Sequence, residues 1–219
     1  MPDYFTHMIA ASEIYRRLDG EIKNKITNYD LYLLGAQGGD VFFFYGLSYK
    51  HNLGRELHRK NAKELFGELI KGDLSYAAHY ALDCSVHPCV YRYQDTHKGM
   101  FVHIKYERDL GLYVSRKTGV RRSILPRERV IACTLPVCDS IKRVAPFVTP
   151  SGTASCLKGH FAYTKNQFKN KKQEFKLDGD YAAAFKAYEE GVALGVKAAE
   201  CVIAGDIDGE IFNKSFLER

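Results

Sequence analysis

No stretch of this 219-residue chain approaches the ~18 consecutive apolar residues that cross a bilayer. The longest apolar runs, near Leu31 to Leu34 and Val41 to Tyr45, are short and broken by Gly and Asp. The start, Met-Pro-Asp-Tyr-Phe-Thr-His, has neither a basic region nor an apolar one. It does not read as a signal peptide, so a cytoplasmic location is expected. The six cysteines contain no C-x-x-C pair, which argues against a thiolate zinc ribbon. They read as reduced, buried thiols. The bend Gly35-Ala-Gln-Gly-Gly-Asp40 lacks the Lys-Ser/Thr ending and flanking strand of a nucleotide-binding P-loop. No internal repeat is visible.

Acidic residues are in the minority, and the formal net charge is +6. The excess lies in Arg116, Lys117, Arg121, Arg122, Arg127 and Arg129, and again in Lys165, Lys169, Lys171, Lys172 and Lys176. Such balance favours anionic partners, or describes no more than a solvated face.

What is present is helical patterning. Thr6 can cap a first helix with Met8, Ile9, Ala11, Ile14, Tyr15 and Leu18 at helical spacing, weakened at Gly20. Ala62, Leu65, Phe66, Leu69 and Ile70 mark a second, closed by Gly72. Asp73 can cap a third, Leu74 to Asp83, with Pro88 beyond its end. A fourth runs from Phe101 to about Val114. Val130 to Val137 is compatible with helix, strand or neither. Pro146 and Pro150 lie in a stretch that reads as a loop, and Lys165 to Lys176 as a mobile one. The last helix runs from Asp180 to about Ile203, with Gly205 after it. The expected class is all-α, a multi-helix bundle in one domain over 1–219.

Two helices carry a histidine and an acid four residues apart: His79 with Asp83, and His103 with Glu107. That spacing puts both side chains on one face, where they can converge on one ion. Imidazole nitrogen with carboxylate oxygen suits zinc or a similar divalent metal. His87-Pro88 follows the first pair, Asp40 ends the Gly-rich bend, His51 stands 11 residues further on, and His7 opens the first helix. Of the remaining histidines, His58 reads as exposed on a charged helix face. His97 reads as a polar loop residue, or else as a supporting or substitute ligand, and His160 gives no signal. Phe42 to Tyr45 read as core, with one or two available to line a pocket.

In type and order, Thr6-His7, Gly35-Ala-Gln-Gly-Gly-Asp40, His51, His79-Tyr-Ala-Leu-Asp83, His87-Pro88 and His103-Ile-Lys-Tyr-Glu107 resemble the zinc-dependent phospholipase C family, which shares its helical fold with the S1/P1 nucleases. The resemblance covers roughly residues 1–113, with a helical part over about 114–219. It implies a cleft between helices holding two or three zinc ions. Asp40, His51, His79 and Asp83 would hold the first, His87, His103 and Glu107 the second, and His7 with Asp83 part of a third. The implied function is a phosphoric ester hydrolase that activates a metal-bound water for attack on a phosphodiester or phospholipid. Asp40 would orient or deprotonate that water. The alternatives are a single-strand nuclease of the same fold, with nucleic acid as partner, and a metal-binding interaction protein without turnover.

Overall fold

The computed structural model describes residues 3–46, 52–69, 74–99, 101–169, 175, 178–207, 210–214 and 216. Among them every regular element is helical. These are α1 (Tyr4–Arg17), α2 (Gly20–Lys25), α3 (Tyr29–Gly35), α4 (Leu53–Arg59), α5 (Ala62–Leu69), α6 (Leu74–Thr96), α7 (Val102–Thr118), α8 (Arg127–Ala132), α9 (Thr134–Ile141), α10 (Pro150–Lys169) and α11 (Tyr181–Ala204). Two 3-10 segments, Gly38–Phe44 and Glu210–Asn213, complete the set. No helix among the described residues is long and apolar enough to cross a membrane.

The central pair is α6 against α11, with α1 and α7 packed on it. Glycine sets the approach of α11. A Cβ on Gly191 would meet Ser85 Cβ at 3.2 Å and the Ala81 carbonyl at 3.3 Å. A Cβ on Gly195 would run into Ile14 of α1. The ends of α11 follow its sequence. Asp180 caps the first turn by accepting from the Ala183 amide, and Gly205 ends the helix in the left-handed region at φ 75°.

Other boundaries differ from the sequence reading. α1 is capped by Asp3, whose carboxylate accepts from the Thr6 amide at 2.9 Å and the Thr6 hydroxyl at 2.7 Å, so Thr6 lies inside the helix. α6 does not end near Asp83. It continues through Pro88 to Thr96. Proline costs one backbone hydrogen bond there, and the packing of a helix buried through Val86, His87 and Val90 outweighs it. Val130 to Val137 is helical, divided between α8 and α9. Pro150 lies not in a loop but at the start of 20-residue α10, where its missing N–H costs nothing. Lys165 and Lys169 belong to that helix. The expected cap Asp73, Gly72 and the rest of the lysine-rich segment except Phe175 lie outside the described residues.

Candidate metal centre

α6 is the spine of the site. His79, Asp83 and His87 recur every fourth residue, so they form one ladder along a single helix face. All three are fully buried. α1 brings His7, the 3-10 turn brings Asp40, α4 brings His58, and α7 brings His103 and Glu107. The turn comes close because of its glycines. Gly38 has φ 50°, and a Cβ there would overlap the His79 ring, while one on Gly39 would meet His58 Cε1 at 2.8 Å. The Gly-rich bend is therefore a seat for two imidazoles.

Three groups of donor atoms result, each with its atoms within 4.8 Å of one another: His7, His79 and Asp83; Asp40, His58 and His79; and His87, His103 and Glu107. At the centre, His58 Nε2 lies 3.1 Å from Asp40 Oδ1, 3.5 Å from Asp83 Oδ2 and 3.2 Å from His79 Nε2. His79 Nε2 is 3.4 Å from Asp83 Oδ2. His7 Nε2 is 3.4 Å from Asp83 Oδ1 and 3.8 Å from Asp40 Oδ2. His103 Nε2 is 2.8 Å from Glu107 Oε1.

Hydrogen bonds behind these rings fix their tautomers. His58 Nδ1 faces the Gly54 carbonyl at 2.6 Å, His87 Nδ1 the Phe216 carbonyl at 2.7 Å, and His103 Nδ1 the Gln94 side-chain oxygen at 3.0 Å. Each acceptor requires the proton on Nδ1, which in a neutral ring leaves the Nε2 lone pair pointing into the site. His7 Nε2, His87 Nε2, Asp40 Oδ1 and both Asp83 oxygens are buried without a hydrogen bond of proper geometry. Buried polar atoms of this kind call for a partner. Lone pairs converging from several sides call for a cation, so the donor set fits a metal.

The electrostatics agree. Burial pushes His79 down to about 4 and His87 well below its usual value, so both are neutral. Burial would raise Asp40 and Asp83, but the surrounding imidazoles outweigh it and hold both carboxyls low. Burial would likewise lower His58, but Asp40 and Asp83 outweigh it and lift the ring to about 10. Without a cation, a proton on His58 offsets the two carboxylates.

Seven of the eight sequence-derived site residues therefore come together: His7, Asp40, His79, Asp83, His87, His103 and Glu107. The eighth, His51, lies outside the described residues. His58, read as exposed, is 2% exposed and stands with Asp40 and His79 in the second donor group, a correction of that reading. Its signal was local. Leu53 and Leu57 mark the inward face of α4, and the Gly54 carbonyl one turn before His58 accepts from its ring. His97 is exposed, stacked on Tyr93 at 3.9 Å, and joins no group. Phe42 is core, whereas Phe44 is 42% exposed.

No family model, curated protein or solved structure gives a significant match to the chain.

Proposed function

We propose that the chain is a zinc-dependent phosphoric ester hydrolase of the phospholipase C type, on a helical fold of the phospholipase C/P1 nuclease kind. One observation carries the reading: three donor groups, two of them joined through His79, lie side by side, buried except for half-buried His103. A structural zinc site is closed by four ligands, often thiolates, and no cysteine enters any group among the described residues. Adjacent multi-ion sites suit phosphoryl chemistry.

Asp40, His58, His79 and Asp83 would hold one ion and His87, His103 and Glu107 another, while His7 with Asp83 would reach a third. Bound there, the ions would lower the pKa of water toward neutrality and offset negative charge on a phosphodiester. Asp40, 6% exposed, would accept the proton of the attacking water. His7 Nε2 stands 3.8 Å from the other Asp40 oxygen. The Nδ1 bonds of His58, His87 and His103 keep those rings from rotating.

The test joins metal content by mass spectrometry to hydrolysis of bis(p-nitrophenyl) phosphate. Two or three zinc ions per chain with turnover is the expected result, and Asp40→Asn should lose about 10²-fold or more in turnover. A fully active Asp40→Asn would refute the role of Asp40. A zinc-loaded protein inert to phosphodiesters would favour a binding protein instead.

A second reading is a single-strand nuclease of the same fold. Lys158, Lys165 and Lys169 are exposed and form one stripe along α10. Paired assays on a phospholipid and on single-stranded DNA separate the two readings. Steep loss of activity with salt favours the nucleic acid.

A further inference from the structure

α10 supplies no member of any donor group among the described residues, yet it packs directly on the 3-10 turn that carries Asp40. Gly159 permits this, since a Cβ there would meet the Phe44 ring at 3.0 Å. The approach brings the next residue, His160, to the edge of the site. Its ring lies 5.7 Å from Tyr4 and 6.2 Å from Phe44, centre to centre, and is 6% exposed. Asp40 and His7 are both within its electrostatic reach.

Among the described residues nothing uses this imidazole's nitrogens. They make no hydrogen bond among the described residues. They also take no part in the metal donor groups. A phenylalanine would fill the same gap between Tyr4 and Phe44. Burial pushes the ring down to about 4, so at neutral pH it offers one N–H and one lone pair. Asp40 and the donor rings would take the cations, which leaves the phosphoryl oxygens of a bound ester for a donor at this edge. Tyr163, one turn further along α10, is 45% exposed and extends this wall outward.

We propose that His160 is a substrate-binding residue whose ring N–H donates to a phosphoryl oxygen of the ester held beside Asp40. This rests on the phosphoric ester reading above. The test uses zinc-loaded protein and inorganic phosphate as the probe, followed by isothermal titration. His160→Phe keeps the aromatic packing and removes the donor; His160→Asn restores a donor. The expected result is wild-type zinc content in both, phosphate affinity about tenfold weaker in His160→Phe with KM raised in step, and partial recovery in His160→Asn. Unchanged phosphate affinity in His160→Phe at full zinc content overturns the proposal. Loss of zinc in that variant also overturns it, by making His160 part of the metal site. If His160→Phe does not fold, His160→Ala gives the same reading. If zinc-loaded wild-type protein binds no phosphate, the phosphoric ester reading falls, and this inference falls with it.

Discussion

Asp3 illustrates how much a single side chain at the margin of the site carries. Its carboxylate caps α1, lies against Gly111 of α7, and feels Glu107. Burial raises its pKa to about 6, and the Thr6 hydrogen bonds offset only part of that. The folded state therefore holds the Asp3 proton more tightly than the unfolded chain does. Stability from this group is complete below about pH 4 and is lost as pH rises through about 6. Asn accepts the same Thr6 bonds without a charge. Metal-free Asp3→Asn should thus be more stable than wild type at pH 7 by roughly 1–2 kcal/mol, discounted for the partial exposure of Asp3. The gap should close toward pH 4. Thermal unfolding across that range checks it, and a gap independent of pH would refute it. His58 teaches the complementary lesson. Its residue type is common on surfaces, and only the turn folded against it brings it into a donor group.

At the scale of elements, α6 and its partners decide the site. The four-residue spacing of His79, Asp83 and His87 is plain in the sequence, but Pro88 reads as a stop signal. Packing against α7 and α11 overrides that local preference, and the ladder gains His87 as its third member. α10 was misread for a related reason. Its opening Pro150 and the Ser/Thr/Gly residues after it resemble loop chemistry, although proline fits a first helical turn well. Close approach of α1 and α11 is testable at Gly195. Alanine there gains helix propensity, yet its Cβ would press on Ile14, which is 1% exposed. Overpacking should win, and Gly195→Ala should lower stability by about 1–2 kcal/mol net. A urea midpoint that rises instead would mean that the helices separate freely.

For the whole molecule, the donor groups are cross-links. They tie α1, the Gly38–Phe44 turn, α4, α6 and α7 through side chains that converge from all five elements. Metal binding to the folded state alone stabilises it by mass action, about 4 kcal/mol at a thousand times Kd. Chelator treatment should therefore lower the midpoint of thermal unfolding, and added zinc should restore it. A midpoint indifferent to both would show that no metal belongs there.

By itself, the sequence determined the helical class and seven of the eight proposed ligands. These features are local: helical periodicity, i, i+4 pairs and a glycine run are properties of short segments. Tertiary structure decided that His58 joins the cluster, that Pro88 does not end α6, and that α10 packs against the turn carrying Asp40. Those outcomes depend on burial and on approach between segments far apart in the chain, which no local pattern encodes.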